Sequence, residues 1–335
     1  MISRTFLRAS CLALGLSSIG LTSAVQAQTV SAPFAADYTL VDLAAVPSLP
    51  LPYGGLSFKA GDPNTILIGG TANAASGLLY QIGVVRGVDN HITGFSGSAT
   101  AFGTVGAFND GGVVYGPGGV LFTSQWPENK LVQTKPGSSA ADKVIDLLPF
   151  GVAPSHAALN FVPAGFAGAS QMKLVSWSGG QFYTAAYAPD GTGTFDISSV
   201  TQVDLDSTTL AMDTLPGGPE GFVYITAGNP GFVANAMLVS EFSAGNVVAY
   251  DLDGDGNPLV TTRRELITGL EGAEGAAIDP LTGDFLFSTF GTTADRIVAL
   301  RGFTKLPPPL PEPASVLLFG IALAGLALQR RKENG

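Results

Sequence analysis

The chain is poor in the side chains that most often carry chemistry. It has one cysteine, Cys11, and two histidines, His91 and His156, among 335 residues. A single thiol excludes an intramolecular disulfide and a thiolate zinc site. Two isolated histidines fall short of a zinc-ligand set, and the body has no Gly-x-Ser-x-Gly nucleophile motif. The sequence therefore points to no catalytic residue.

Charge is also scarce, because only 13% of the residues are charged. Glycine and proline are plentiful instead, with 44 and 22 residues. Low charge combined with ample Val, Ile, Leu and Phe is not typical of a disordered chain. No convincing long amphipathic helix stands in the body. Together these features predict an all-β protein with many tight turns.

Residues 1–27 have the pattern of a secretory signal peptide. Arg4 and Arg8 form the basic n-region, residues 11–21 form the apolar region, and Val25-Gln26-Ala27 supplies small residues at the cleavage positions. Cleavage is expected before Gln28, which would also remove the only cysteine. The alternative is an uncleaved N-terminal anchor. We expect export through the Sec machinery.

The C-terminal residues also have the pattern of a targeting segment. Residues 304–313 are rich in proline, residues 314–328 carry no charge, and Arg330, Arg331 and Lys332 follow. Fifteen helical residues span roughly 22 Å, which is short for a bilayer core of about 30 Å unless flanking cations snorkel. A short transmembrane helix over 314–328 is the prediction, with the body outside the cytoplasm. An ordinary tail anchor or a buried terminal helix is the alternative.

The order of these elements resembles a known sorting signal. Pro311-Glu312-Pro313, the apolar run, and the basic pair Arg330 and Arg331 are similar to the PEP-CTERM motif of Gram-negative bacteria, here over residues 311–335. The resemblance implies an exported protein held in the inner membrane, with an exosortase as the processing partner. After processing the protein would lie at the cell surface or outside the cell. Such proteins often accompany exopolysaccharide and biofilm genes.

The predicted mature body, without residues 1–27 and 314–335, is acidic. It has 286 residues with 11 basic and 25 acidic side chains, a net charge of −14. This balance argues against nucleic acid and anionic lipid as partners. It suits an extracytoplasmic protein that meets divalent cations.

A repeated unit organises residues 28–303. Each unit has a Gly-rich start, a short apolar strand, a turn and a second β-rich strand, and further strands follow. The units begin near residues 54, 111, 157, 220 and 274, a spacing of roughly 45 to 63. Four short strands at such a period are typical of propeller blades. We predict a β-propeller of five or six blades, in which the N-terminal strand within residues 37–46 closes the ring. A β-sandwich or a solenoid is the alternative.

Residues 217–303 resemble blades of the gluconolactonase-like and NHL-type propellers. The stretches that carry the resemblance are 246–257, 263–266 and 274–279. In the lactonase-like family a glutamate in the channel is a metal ligand, joined by Asn and Asp from other blades. The present chain departs from that family because its first two units begin Gly54-Gly55 and Gly111-Gly112, without a glutamate.

Glu220 and Glu274 are the channel candidates that this resemblance selects, since they open equivalent strands of two units. Asn109, Asp110 and Asn160 are possible partners from other units. The alternative is that both glutamates simply bind backbone amides at strand starts.

A second candidate metal site is the acidic stretch Asp251, Asp253, Asp255 and Asn257. Its oxygens are spaced like the first half of a calcium loop, and Gly256 suits the sharp turn. Position 12 is Thr262 rather than glutamate, and the flanks read as strands. The alternative is a polar hairpin tip. Calcium is thus the one cofactor that the sequence suggests.

Four aromatic side chains are weaker candidates for a binding site. Trp126, Trp177, Tyr183 and Tyr187 suit stacking on sugar rings, or a role in the core. No phosphate loop, dinucleotide fingerprint or basic aromatic patch is present. The sequence favours an exported, non-enzymatic binding or structural module linked to extracellular polysaccharide. The alternative is a metal-dependent lactonase-like hydrolase.

Overall fold

The computed structural model describes residues 28–291 and 294–304. The predicted signal peptide, most of the proline-rich linker, and the predicted sorting and transmembrane segments lie outside the described residues. Within the described ranges the secondary structure is 21 β-strands and four single-turn 3₁₀ helices at Phe34–Ala36, Pro117–Gly119, Leu148–Phe150 and Val260–Thr262. No helix in these ranges has the length and apolarity needed to cross a bilayer.

The strands form five sheets that follow one another along the chain. In chain order they are β1 (Thr29–Val30), β2 (Thr39–Asp42), β3 (Tyr53–Lys59), β4 (Asp62–Gly70), β5 (Leu78–Arg86), β6 (Ile92–Ala101), β7 (Asn109–Tyr115), β8 (Leu121–Gln125), β9 (Lys130–Thr134), β10 (Lys143–Asp146), β11 (His156–Phe161), β12 (Met172–Ser176), β13 (Phe182–Pro189), β14 (Phe195–Gln202), β15 (Pro219–Ile225), β16 (Ala236–Glu241), β17 (Asn246–Asp251), β18 (Arg264–Thr268), β19 (Ala273–Ile278), β20 (Phe285–Thr289) and β21 (Ile297–Arg301).

Each sheet is one blade of a propeller. Blade 1 is β3–β6, blade 2 is β7–β10, blade 3 is β11–β14 and blade 4 is β15–β18, all with antiparallel neighbours. Blade 5 takes β19–β21 from the end of the body and β2 from its beginning. The predicted β-propeller is thus confirmed with five blades. The N-terminal strand completes the fifth blade rather than adding a sixth.

The N-terminal arm closes the ring. Strand β2 pairs with β21, with Leu40 opposite Leu300, and β1 adds a short fifth strand to blade 4 beside β18. Between the two strands, Phe34 and Tyr38 are buried against Phe232. The arm therefore joins the last two blades by backbone hydrogen bonds and by buried apolar area.

The core lies in the seams between blades. Each of five apolar clusters takes side chains from two neighbouring blades, so that every seam of the ring has its own cluster. This follows from strand geometry, because successive side chains of a strand point to opposite faces and each blade has a neighbour on both faces. Because both faces of such a strand are covered, its sequence reads as a near-continuous apolar run.

Serine hydroxyl groups of two second strands form hydrogen bonds across two of the seams between blades. Ser124 Oγ accepts the Gly112 N–H at 2.9 Å and donates to the Ala157 carbonyl of blade 3 at 2.5 Å. Ser288 Oγ likewise accepts the Gly275 N–H at 2.9 Å and donates to the Gly54 carbonyl of blade 1 at 2.7 Å. Each hydroxyl thereby satisfies a buried backbone donor in its own blade and a buried acceptor in the next.

The innermost strands β3, β7, β11, β15 and β19 surround the propeller axis. We call the end at which they begin the upper end and the end at which they turn into the second strands the lower end. Each pairs irregularly with its second strand near its start, and the register shifts fall at Tyr53/Leu56, Asn109/Val113, His156/Ala158, Pro219/Phe222 and Ala273/Ala276. Such bulges redirect side chains locally.

Candidate functional site

Three acidic side chains meet at the upper end of the axis. Asp110 belongs to β7, Glu220 to β15 and Glu274 to β19, and each lies inside the bulge of its strand. One carboxylate oxygen from each lies within 4.8 Å of those of the other two. The three residues are at most 3% exposed. The structure therefore brings the sequence candidates Glu220 and Glu274 together and adds Asp110 to them; we call the three the axial cluster.

Glycines allow this convergence. A glycine follows each acid, and a Cβ at Gly221 would lie only 2.5 Å from the Ala276 nitrogen of the next blade. A Cβ at Gly275 would lie 2.6 Å from the Gly55 Cα, and one at Gly111 would lie 2.9 Å from the Gly221 nitrogen. Backbones this close leave no room for a side chain. The acid–glycine pairs thus bring innermost strands of different blades into contact, including blades 2 and 4 across the axis, and place the preceding carboxylates side by side.

Blades 1 and 3 do not contribute an acid at this position. Gly54 occupies it in blade 1 and Ala157 in blade 3. A Cβ at Gly54 would meet the Asn109 side chain, with only 2.7 Å to Oδ1. The Asn109 side-chain oxygen therefore faces blade 1. Its Nδ2 donates instead to the Gly112 carbonyl of its own strand in blade 2, at 3.0 Å. The asymmetry leaves three carboxylates for five blades.

The carboxylates lack partners that would neutralise them. Asp110 Oδ2, Glu220 Oε2 and Glu274 Oε1 are buried and have no hydrogen-bond partner within the described ranges. None of the ion pairs among residues 28–291 and 294–304 includes any of the three acids. Buried charges are ordinarily paired or bound to a metal. The axial cluster has the donors of a cation site and no side-chain cation.

Burial and mutual repulsion shift the titration of these groups. Burial raises the pKa of Asp110 to about 7, and hydrogen bonds from Asn73 and Glu274 oppose the rise. Burial, followed by the charge of Asp110, raises the pKa of Glu220 well above its ordinary value. The pKa of Glu274 is raised by burial and by the charges of Glu220 and Asp110. At neutral pH the cluster must therefore hold protons or a cation.

Two further residues lie beside the cluster. Asn73 reaches Asp110 from the β4–β5 loop, and its Oδ1 is buried without a hydrogen-bond partner among the residues described. Asp295 is 2% exposed, and its Oδ2 accepts the Tyr53 N–H at 2.8 Å. Burial raises the pKa of Asp295 to about 6. The upper end thus adds one amide oxygen and a fourth carboxyl to the same region.

The chemistry of this donor set is that of a hard cation site. Its ligand atoms are carboxylate and amide oxygens, with no imidazole or thiolate among the cluster residues. Oxygen-only sets suit Ca²⁺ and Mg²⁺ rather than zinc or copper. Asp110, Glu220, Glu274 and the Asn73 amide are the residues that can hold such an ion.

The acidic stretch 251–257 lies elsewhere, at a hairpin of blade 4. Asp253 Oδ1 accepts the backbone N–H groups of Asp255 and Asn257, and its Oδ2 accepts the Asn257 amide at 2.9 Å. Asp251 forms an ion pair with Arg264. The oxygens of this turn are thus engaged by protein donors, as expected for a hairpin tip, and calcium binding here stays a prediction.

A lysine already supplies a cation to this turn. Lys173 Nζ donates to Asn257 Oδ1 at 2.6 Å, to Gln171 Oε1 at 2.7 Å and to Thr184 Oγ1 at 2.8 Å. Lys173 is fully buried, and burial lowers its pKa to about 8, although the charges of Asp253 and Asp255 oppose the fall. The ammonium group therefore ties blade 3 to the acidic hairpin of blade 4.

The remaining sequence candidates take structural positions. Asn160 Nδ2 donates to the Phe222 carbonyl at 2.8 Å, away from the axial cluster. His91 Nδ1 is 2.6 Å from Asp284 Oδ2. His156 is completely buried, and burial lowers its pKa to about 4. Neither histidine joins the axial cluster.

Three of the four aromatic candidates contact their neighbours in the fold. Trp177 contacts Phe242 edge to face with ring centroids 6.2 Å apart, and Tyr183 OH accepts the Ala153 N–H at 2.9 Å. Tyr187 OH donates to the Ser170 carbonyl at 2.8 Å. These contacts fit roles in packing, and sugar stacking stays a prediction.

Sequence reasoning named Asp110 as a possible partner but did not group it with the glutamates, and it missed Asn73 and Asp295. A usable signal was present in the repeats. Moving the start of the second unit alone back by one residue gives Asp110-Gly111 beside Glu220-Gly221 and Glu274-Gly275, an acid followed by glycine in three blades. Asn73 and Asp295 come from loops, for which no periodic pattern exists.

Comparisons with solved structures find several proteins of low similarity. They include a glutaminyl cyclase of Myxococcus xanthus (13% identity, TM-score 0.45, covering 79% of this chain and 96% of that one). A luciferin-regenerating enzyme has 10% identity and a TM-score of 0.47, covering 79% and 83%. An aldose sugar dehydrogenase of Streptomyces coelicolor has 12% identity and a TM-score of 0.37, covering 77% and 82%. At such low similarity we transfer no activity from them.

A search of curated proteins gives no significant match. Among protein families, residues 309–332 match the PEP-CTERM protein-sorting motif. This match confirms the resemblance of the tail, which is the recognition signal for exosortase processing and implies export and membrane anchoring. The chain therefore carries a PEP-CTERM protein-sorting motif after the body of a five-bladed β-propeller.

Proposed function

We propose that this protein is an exported calcium-binding propeller that serves as a binding or structural module outside the cytoplasm. Its C-terminal segment holds it in the inner membrane until an exosortase processes the tail, and the body then stays at the cell surface or leaves the cell. The axial cluster holds the calcium ion. Extracellular polysaccharide is the partner that we propose for the body.

One observation carries the calcium proposal. Asp110, Glu220 and Glu274 place carboxylate oxygens within 4.8 Å of one another, and each has a buried oxygen without a partner among the residues described. A buried charge without a partner costs several kcal/mol, so three such groups in contact are a large cost unless a cation neutralises them. A divalent ion balances most of a charge of −3 in a single step.

Calcium fits this donor set better than magnesium. Calcium accepts six to eight oxygen ligands in flexible geometry, whereas magnesium demands a near-ideal octahedron and keeps several waters. The ligands here come from three separate blades and a loop, an arrangement that imposes no octahedral geometry. Extracellular calcium modules work with dissociation constants of about 10⁻⁴ to 10⁻³ M, which suits an exported protein.

The ion would act as a structural tie. Asp110, Glu220 and Glu274 stand on the innermost strands of blades 2, 4 and 5, which are not all neighbours in the ring. An ion bound to all three links strands across the axis as well as around it. Because it binds the folded state and not the unfolded chain, calcium would raise the free energy of unfolding by mass action.

The test is a thermal melt of the full-length protein in detergent, with excess calcium or with chelator. Calcium at 100 times its dissociation constant adds about 2.7 kcal/mol, which for a body of this size corresponds to roughly 5 to 10 °C in Tm. The variant Glu274→Gln should lose this shift. Glu271→Gln, the same change at an exposed position three residues away, should keep it. An equal melting curve with calcium and chelator would refute the proposal.

The donor count favours a second candidate function, a metal-dependent hydrolase of the lactonase type. Three carboxylates and one amide leave coordination positions of a calcium ion for water or a substrate oxygen. A bound cation of this kind polarises a carbonyl group as a Lewis acid. Calcium-dependent acid release from lactones or sugar esters, lost in Glu274→Gln, would support this function. Calcium binding without turnover would leave the binding module.

Polysaccharide binding needs its own assay, because it rests on the sorting motif rather than on the axial cluster. The full-length protein can be mixed with insoluble extracellular polysaccharide from a biofilm-forming culture and recovered by sedimentation. Retention that soluble polysaccharide competes away supports the proposal. Equal recovery with and without polysaccharide would remove that partner and leave the calcium site untouched.

A further inference from the structure

A large cavity opens at the lower end of the axis, opposite the axial cluster. Its volume is about 780 Å³. The ends of all five innermost strands form its wall, together with residues that follow β3, β11 and β19. Most of the wall is apolar, with Phe58, Tyr115, Phe161 and Tyr224 as its aromatic members and Leu281 on its rim.

Three polar side chains of the wall are already engaged by backbone carbonyls. Asn160 Nδ2 donates to the Phe222 carbonyl at 2.8 Å, and Tyr224 OH donates to the Gly256 carbonyl at 3.2 Å. Ser57 Oγ donates to the Phe58 carbonyl at 3.4 Å. An occupant with many hydrogen-bond donors would leave them unsatisfied at a cost. The cavity therefore suits an apolar occupant that has few donors.

The chain leaves the propeller at this same end. Strand β21 is the third strand of blade 5, so it runs parallel to the innermost β19 and ends at the lower end. Phe303 packs on Phe285 with ring centroids 4.1 Å apart, and the Thr304 N–H donates to Asn229 Oδ1 at 2.7 Å. Phe285 stands four residues after Leu281 on the cavity rim. The exit and the cavity thus share a blade.

The segment that follows the exit has the chemistry that the cavity requires. Residues 305–313 read Lys-Leu-Pro-Pro-Pro-Leu-Pro-Glu-Pro. The prolines among them have no N–H, and such sequences favour the polyproline II conformation, in which nine residues extend about 28 Å. Aromatic-lined grooves bind polyproline II segments at low entropic cost.

We propose that residues 307–313 of this chain dock in the lower cavity. The proline rings pack against Tyr115 and the neighbouring apolar wall, and Glu312 approaches Lys59. Lys59 lines the cavity, and its Nζ is 3.0 Å from Gln81 Oε1 and 5.7 Å from the Phe102 ring centroid. No ion pair among the described residues includes Lys59. Its charge also acts on Asp62, which lines the same cavity, and Glu312 would be a second carboxylate near it.

Docking fixes how the propeller is presented. The apolar run 314–328 begins directly after the docked segment, so the lower end faces the membrane and the axial cluster faces away from it. The docked residues also include Pro311-Glu312-Pro313 of the sorting motif, and the cavity wall covers them. The proposal does not depend on calcium, because no residue of the axial cluster lines the lower cavity.

Disulfide trapping in the full-length protein tests the proposal. Cys11 is the only cysteine, so Cys11→Ser provides a background without thiols. In this background Leu310→Cys is combined with Leu281→Cys on the cavity rim or with Val233→Cys as the control. Val233 is 96% exposed, and its neighbour Phe232 packs on Phe303, so it lies near the exit but outside the cavity.

A docked segment should form the disulfide with the Leu281→Cys partner about tenfold faster than with the Val233→Cys partner under mild oxidation. Equal rates, or a faster reaction at Val233→Cys, would overturn the proposal, as would a disulfide between two copies of the chain. Glu312→Lys should slow the Leu281→Cys reaction, and Lys59→Glu combined with Glu312→Lys should restore it. If the charge reversal does not restore the rate, Glu312 does not contact Lys59, and the proposed register of the docked segment is wrong.

Discussion

Arg86 and Asp279 face each other across the seam where the first blade meets the last. The Arg86 guanidinium binds the Asp279 carboxylate through two hydrogen bonds, of 2.6 and 3.1 Å. The Asp279 side chain is completely buried and that of Arg86 is 10% exposed. The seam that closes the ring thus has a bidentate ion pair in addition to its apolar cluster.

Arg86→Ala should destabilise the protein strongly because it leaves the Asp279 carboxylate buried and unpaired. We expect a loss of about 3 to 5 kcal/mol in the free energy of unfolding, measured by urea denaturation. The matched control is Arg296→Ala, which removes the exposed ion pair of Arg296 with Asp42 and should cost about 1 kcal/mol or less. Similar losses in the two variants would contradict the role of burial.

The metal-free protein should lose stability as the pH rises. Burial raises the pKa of Asp110 from its ordinary 3.8 to about 7, so between these values the folded state holds a proton that the unfolded chain releases. The free energy of unfolding therefore falls from about pH 4 to about pH 7. Melting curves in chelator at pH 5 and pH 8 measure this fall. Since deprotonated carboxylates bind calcium better, the calcium shift in Tm should be larger at pH 8, and a smaller shift there would contradict the prediction.

Two isosteric changes separate the possible calcium sites. Asp110→Asn removes a charge from the axial cluster and should abolish most of the calcium shift in Tm, while it stabilises the metal-free protein at pH 8. Asp253→Asn keeps an oxygen acceptor for the turn at 253–257 and should leave the shift unchanged. Loss of the shift in Asp253→Asn alone would transfer the site to the hairpin of blade 4.

The close approach of strands at the axis predicts that Gly275→Ala is harmful. The new methyl group would stand 2.6 Å from the Gly55 Cα, so backbone must move, at a cost of about 1 to 3 kcal/mol. Gly94→Ala is the control, since a Cβ there has open space around it and should be neutral or stabilising by about 0.5 kcal/mol. Urea denaturation of both variants gives the comparison. A neutral Gly275→Ala would mean that the strands can separate at no cost.

Removal of the Phe34 ring tests the N-terminal arm. Phe34 is 1% exposed and stacks on Phe232 with ring centroids 5.4 Å apart. Phe34→Ala should cost about 3 to 5 kcal/mol in the free energy of unfolding. Val88→Ala, at a fully exposed position, should change it by about 0.5 kcal/mol or less. A small loss in Phe34→Ala would mean that the ring closes without the arm.

The sequence contained most of the architecture because blades repeat. The unit starts near 54, 111, 157, 220 and 274 lie within two residues of the first residues of β3, β7, β11, β15 and β19. The outer strands were harder to recognise, since their exposed positions, as in β6 with its Gly and Ser residues, carry little apolar signal. The number of blades depended on which strand β2 pairs with. That pairing joins residues far apart in the chain, so a local sequence pattern does not reveal it.

The axial cluster was predictable only in part. Glu220 and Glu274 stood out because both open apolar strands, but the third acid, Asp110, lay one residue before the unit start that glycine spacing suggested. Its place beside them follows from ring closure, which brings equivalent positions of separate blades together. The hairpin at Asp253 gave a stronger local signal, yet its oxygens bind the backbone of their own turn.

The pairing of β2 with β21 has a consequence for how the protein reaches its folded state. Residues 39–42 can find their partners only after residues 297–301 have been made, so the ring cannot close on a partly synthesised chain. Until then β2 and the outer edge of blade 5 are unpaired, and contacts between residues so far apart in the chain form slowly. The order of strands thus makes ring closure a late step of folding, after the whole body has been made.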